Sequence, residues 1–252
     1  MLETVFPHDF FHYGLLFARI GTIFLFLPTL GERFVNSRSR IMFSWAVVFL
    51  LAPVLTPKLP PVPHEGTESL LLLGREAFIG AFLGLMARGF FLTLEIMSTT
   101  IAFMISLSNA FAFNPQINPG SVIGSLLGMI VLVLIFATNL HHLMLKSVVD
   151  SYTVFDPKLG LPLEGMTESF TQMVAHSFTL GIQLATPFIA AALMFYTGIG
   201  LVARLIPQIQ IFFVALPLQL MLGLLMTAMA LSAGMMFFLE HYATAIQHLG
   251  GE

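Results

Sequence analysis

With 252 residues, 57% of them hydrophobic, the chain carries only ten Lys and Arg and thirteen Asp and Glu, far short of the roughly 25% charged residues that cover a soluble domain. A mean hydropathy of +0.92 makes lipid or other apolar protein the solvent for most of its surface. A net charge of −3 excludes the basic field that nucleic acid requires, and the absence of cysteine excludes disulfides and thiolate metal sites.

Six apolar blocks follow in chain order. Met1-Leu2-Glu3-Thr4 places an acid where a secretory signal carries Lys or Arg. No Ala-x-Ala-like cleavage site follows the first apolar run, so block one, about 10–30 and interrupted by His12 and Arg19, reads as a retained helix. The segment 31–40 holds Arg33, Arg38 and Arg40, the basic cluster of the chain. By the positive-inside rule it is cytoplasmic, with the N-terminus outside. Block two, 41 to about 56, is short for a span and is expected to end at Pro53. The run Thr56-Pro57-Lys58-Leu59-Pro60-Pro61-Val62-Pro63 predicts an extended polyproline connection with no helix.

Block three runs from about Leu70 to Leu107 and carries Arg75, Glu76, Arg88 and Glu95. At about 100° per residue, Glu76, Gly80 and Gly84 share one stripe while Arg88 has begun to turn away. Gly80-Ala81-Phe82-Leu83-Gly84 is a small-xxx-small motif, which lets two backbones approach closely in an apolar medium. Gly120, Gly124 and Gly128 repeat the spacing at the start of block four, which runs from about Val122 to Leu145. Helix packing, rather than a substrate pathway, is the reading favoured for both. Block five runs from about Phe170 to Ala203 with Pro187 inside it, and block six from about Ile209 to Leu239 with Pro217 inside it.

Continuous apolar runs longer than about 18 residues favour helices over barrel strands. The expected fold is an all-α polytopic membrane protein of long, partly kinked helical hairpins, forming a single domain over 1–252. Blocks of thirty or more residues would be roughly 45–50 Å long if straight, against a bilayer core of about 30 Å. Blocks three, five and six therefore tilt, break, or leave the lipid, and Pro187 and Pro217 predict kinks or breaks at those points.

Chemistry-bearing motifs are missing. The sequence has no His-Glu-x-x-His helix, no phosphate-binding Gly-rich loop with Lys and no Gly-x-Ser-x-Gly elbow. His141 and His142 are adjacent, so on a helix they point about 100° apart and read as helix-end residues near an interface. No catalytic residue, cofactor or metal site is expected. Charges inside the blocks carry more information, because each costs about 2.5–3.5 kcal/mol at the centre of a membrane helix. Arg19, Glu76, Arg88, Glu95 and Arg204 therefore need partners or water, and structural ion pairs or subunit contacts suit their sparse spacing better than a proton relay. The stretch from Ser108 to Gly120 has two Asn-Pro pairs that break the helix, yet Phe111, Phe113 and Ile117 keep it apolar. Two readings fit it: a re-entrant or pore-occluding element, or a tight interhelical turn whose phenylalanines enter lipid.

These residues resemble the FliR family of flagellar export-gate proteins, whose virulence-secretion counterparts are the SctT or SpaR-like proteins. The matching pattern is Arg19-Ile20-Gly21, Pro28, Gly31, Arg40 and Pro53, then Glu76, Gly80 and Gly84, then Asn114-Pro115. Its most specific part is Arg204-Leu205-Ile206-Pro207-Gln208-Ile209-Gln210, followed by Pro217 and Gly223. The family more often has Asn at Gln210 and Gly-Phe-Pro at Ala215-Leu216-Pro217, departures that touch helix packing. The resemblance implies a non-enzymatic subunit of a type III export gate, with a leaning towards flagellar use. In such a gate one copy assembles with several FliP-like and FliQ-like subunits into a closed helical pore for unfolded substrates. It implies a place in the bacterial inner membrane and flagellar basal body, with part of the assembly above the bilayer, and FlhB-like and FlhA-like neighbours. The loop 109–120 matches the family's plug, which assigns Phe111, Phe113, Asn114, Pro115, Gln116, Ile117 and Asn118 to pore closure. Arg19, Glu76, Gly80, Gly84, Arg88, Arg204, Pro207, Gln208 and Pro217 fall to helix packing or subunit contact. The alternative class is a secondary transporter or small-solute channel, which predicts inverted repeats and a midplane charge site that the sequence does not display; an intramembrane enzyme is a distant third.

Overall fold

The structure is a computed structural model that describes residues 2–27, 36–63, 65–110, 118–205 and 211–249. Among these residues every regular element is helical. They are α1 (Leu2–Phe26), α2 (Ser37–Leu55) continued by a 3₁₀ turn (Thr56–Lys58), α3 (Gly66–Gly89), α4 (Leu92–Met104), α5 (Leu107–Ala110), α6 (Pro119–Ala137), α7 (Leu140–Val154), α8 (Leu163–Leu205) and α9 (Ile211–Leu249). Five helical stretches are long and apolar enough to cross a membrane, and Phe10–Phe26 is a shorter apolar one, in keeping with the all-α polytopic class.

The block boundaries need four corrections. Block three is two helices, because α3 stops at Gly89 and Thr93 N–H and Leu94 N–H form tight turns back to the Phe90 and Phe91 carbonyls. Block four is also two: Asn139 lies at φ 60° between α6 and α7, a left-handed conformation that Asn tolerates better than most non-glycine residues. Block two does not end at Pro53. The helix continues to Leu55 with the Pro53 ring exposed, and Thr56–Lys58 adds a 3₁₀ turn. Pro57 sits in the first turn of that 3₁₀ element, where its missing N–H goes unused, and the chain turns extended at Leu59. Finally, α8 and α9 continue unbroken through Pro187 and Pro217, both exposed. Apolar helices can carry such prolines when local adjustment satisfies the freed carbonyls.

The chain forms two compact units from interleaved segments. Unit 1 is Met1–Gly89, Ile135–Met173 and Tyr242–Glu252, and unit 2 is Phe90–Leu134 and Val174–His241. In unit 1, α1 buries Leu15, Leu16, Arg19, Ile20, Ile23 and Phe24, the i, i+1, i+4 pattern of a helix covered along one face. Phe17 stacks on Trp45 of α2 at 4.5 Å, and Phe24 meets Phe43 at 5.4 Å. In unit 2, the buried apolar residues include Met97 and Ile101 of α4, Leu127 and Val131 of α6, and Ala185 and Phe188 of α8.

Candidate functional site

The main polar feature of unit 1 is built by α1, α3 and α7. Gly80 and Gly84 bring the α1 and α3 backbones together. A Cβ on Gly80 would collide with Thr22 Oγ1 and the Arg19 carbonyl oxygen, and one on Gly84 would lie 2.8 Å from Phe26 Cβ and 2.9 Å from the Ile23 carbonyl oxygen. This seam sets the register that puts Arg19 opposite Glu76, one turn before Gly80. Arg19 Nε donates to Glu76 Oε2 at 2.7 Å and Nη2 donates to Oε1 at 3.0 Å, the two-pronged geometry that suits guanidinium and carboxylate.

The same guanidinium also reaches the end of α7. Nη1 donates to the Ser151 carbonyl at 3.1 Å and Nη2 to the Phe155 carbonyl at 2.9 Å. The Ser151 carbonyl also accepts the Phe155 cap N–H at 2.9 Å; carbonyls at a helix C-terminus carry partial negative charge, which a buried cation there offsets. Arg19 Cζ lies 4.0 Å from the Tyr152 ring centroid, a cation–π contact. Burial raises the Tyr152 phenol above its ordinary pKa, with the Arg19 charge acting the other way; its hydroxyl has no hydrogen-bond partner among the described residues. Next to Glu76, Arg75 Nη1 donates to the Leu159 carbonyl. Two adjacent α3 residues thus hold the α7–α8 connection, Glu76 through Arg19 and Arg75 directly.

Unit 2 has its own polar node. Gln219 of α9 is buried, and its Nε2 donates to the Met104 carbonyl at 2.7 Å and to Tyr196 Oη at 3.1 Å. Tyr196 Oη lies 3.2 Å from Ser106 Oγ, and Ser106 holds φ 60° in the turn after α4. An apolar hollow lined by Met104, Phe188, Ala192, Phe195 and Leu222 adjoins Gln219.

The remaining sequence-derived candidates fall in several places. Arg88 and Arg204 are exposed in the last turns of α3 and α8, and Glu95 is exposed in the first turn of α4. Asn118 immediately precedes α6, its Oδ1 accepting from Gly120 N–H at 3.0 Å. Phe111, Phe113, Asn114, Pro115, Gln116, Ile117, Pro207 and Gln208 lie outside the described residues. Gly120 and Gly124 pack on Thr99 and Ser98, whereas Gly128 has open space beside it. His141 and His142 stand in the first turn of α7 with rings 4.1 Å apart. Sequence reasoning missed Ser151, Phe155, Tyr152 and Gln219. The first two act through backbone carbonyls, which leave no side-chain signature; Gln219, a lone amide in a long apolar helix, offered a signal that went unused.

A buried charge neutralised in place, helix seams closed by glycine and long apolar helices define a polytopic membrane protein whose polar core organises structure. Residues 10–245 match the model for bacterial export proteins, family 1. The chain belongs to that family. It is 35% identical over 232 residues to the flagellar biosynthetic protein FliR of Caulobacter vibrioides, covering 91% of this chain and 92% of the relative. It is 30% identical to FliR of Bacillus subtilis, with 86% and 85% covered, and 22% identical to the Yop proteins translocation protein T of Yersinia pestis, with 87% and 85% covered. The chain is a component of a flagellar or type III export apparatus, seated in the inner membrane by its apolar helices.

Proposed function

We propose that the chain is a non-enzymatic core subunit of the flagellar type III export gate. It assembles with FliP-like and FliQ-like subunits into a closed pore for unfolded substrates, beside FlhB-like and FlhA-like components. The observation that carries this reading is the coverage of the long helices. Only 11% of the apolar window of the 43-residue α8 and 22% of that of the α9 span are buried within the chain itself. At about 1.5 Å per residue, α8 is also roughly twice as long as a bilayer core is thick. Apolar surface beyond the lipid needs protein cover, and sister subunits supply it. Lipid covers the rest, and part of the assembly stands above the bilayer.

Both units serve as one gate domain, since α8 and α9 each contribute residues to both. Arg19, Glu76, Gly80 and Gly84 fix the chain's internal packing, while the exposed Arg88, Arg204 and Pro217 are available to neighbours, with Pro207 and Gln208 in the adjoining motif. The 109–120 segment, Phe111 to Asn118 included, plugs the pore; its apolar, proline-broken sequence supports that role. The test is purification from native membranes through a tag on this chain. Export components are expected to co-purify at fixed ratio, and recovery of a lone, monodisperse monomer that transports a solute would overturn the reading.

A further inference from the structure

The turn that ends α4 is held by polar side chains from two other helices of unit 2. Met104 closes α4, and its carbonyl accepts from Gln219 Nε2 of α9 at 2.7 Å. Two residues on, Ser106 sits at φ 60°, a left-handed conformation that non-glycine residues adopt at a cost. Its Oγ lies 3.2 Å from Tyr196 Oη of α8, and that Oη accepts in turn from Gln219 Nε2 at 3.1 Å. Ile105, between Met104 and Ser106, is buried against α9 at a point where a Cβ on Gly223 would collide with its side chain. Gln219 and Gly223 are about one turn apart, so α9 presents a cap and a socket to the same joint.

This joint has a second conformation within reach. Leu107–Ala110 is helical again as α5, so Ile105 and Ser106 are all that keeps 92–110 from being one helix. In an unbroken helix the Met104 carbonyl accepts from the N–H four residues on, that of Ser108; here Gln219 occupies it. Serine prefers a right-handed backbone, which favours the straight form, while the ties to Gln219 and Tyr196 favour the bent one. Space is also at hand. An apolar hollow of about 150 Å³, lined by Met104, Ile105, Phe188, Phe195 and Leu222, adjoins the joint, where close packing normally leaves few voids larger than a water molecule. Opposed local preferences beside unfilled space are what make a packed element bistable.

We infer that Gln219 and Tyr196 form a latch that keeps the Ile105–Ser106 joint bent in the closed gate. Its release lets α4 and α5 join into one helix and changes the direction in which α5 points. The inference rests on the export-gate reading and on the plug role of 109–120. The test is ion leak through the assembled gate in native membranes, compared at equal co-purification with export components. Gln219→Leu should raise the leak about tenfold, the factor that a lost buried hydrogen bond carries. Adding Ser106→Gly should return it to near the wild-type level, because glycine holds φ 60° without the latch. A tight Gln219→Leu gate overturns the inference. So does a leak that Ser106→Gly does not relieve, since Gln219 then acts through packing alone. If Gln219→Leu does not assemble, Tyr196→Phe decides, because it removes one hydroxyl from a half-exposed ring. It should leak about threefold more than wild type and be relieved likewise by Ser106→Gly, or the inference falls. A variant shortened within 111–118 is measured alongside. If that variant stays tight, the plug reading falls and the latch with it; if it leaks while Gln219→Leu does not, the latch alone falls.

Discussion

The Arg19 guanidinium commits four of its five N–H groups to Glu76 and to the carbonyls of Ser151 and Phe155. A buried pair of this kind is weakly stabilising when whole and costly when halved: loss of one partner costs about 3–5 kcal/mol, because the other charge stays buried. Glu76→Gln or Arg19→Met should therefore abolish or sharply reduce recovery of folded protein, measured as thermal stability in detergent. Arg19→Met combined with Glu76→Leu should recover part of the loss. Tyr152 gives the converse case. Its hydroxyl is buried without a partner among the described residues, so Tyr152→Phe should leave stability within about 1 kcal/mol of wild type near neutral pH, or raise it. The phenol pKa is raised in the folded state, so the unfolded chain releases this proton first as pH climbs through about 10. Stability is lost there, and Tyr152→Phe should hold more of it than wild type above that pH.

At the scale of the helices, the α1–α3 seam is the element whose geometry the rest follows. Gly84→Val places methyl groups against Phe26 Cβ and the Ile23 carbonyl, an overpacking worth about 1–3 kcal/mol or more where backbone must shift. It should also loosen the Arg19–Glu76 pair. Gly128 has open space beside it, so Gly128→Ala should be neutral or stabilise by up to about 1 kcal/mol through helix propensity; equal losses at both positions in a thermal shift assay would contradict the seam assignment. Glu76, Gly80 and Gly84 were legible as one stripe because i+4 spacing is a local property. Their partner was not, since Arg19 lies 57 residues away in sequence and nothing local couples the two. The break at Asn139 was hidden for a related reason: one left-handed residue divides a run whose hydropathy never falls. Pro187 and Pro217 leave their helices unbroken, because local adjustment in an apolar helix satisfies the carbonyls that proline frees.

For the whole molecule, composition and block length carried most of the outcome: helices throughout, a membrane setting, and apolar segments too long for lipid alone. The division into two interleaved units was beyond reach, because α8 and α9 each feed both and no composition shift marks the border. Function at this scale turns on closure and on partners. Shortening the segment 111–118 should leave an assembled gate leaky to ions or small solutes, and unchanged permeability of a correctly assembled variant would count against the plug.

The most direct measurement is the mass and composition of the particle released from native membranes through a tag on this chain. If it is a core gate subunit, it emerges in a multi-subunit particle with FliP-like and FliQ-like chains at fixed ratio, and the same chain expressed alone aggregates or is degraded. A stable, monodisperse single chain, free of export components, would contradict that role.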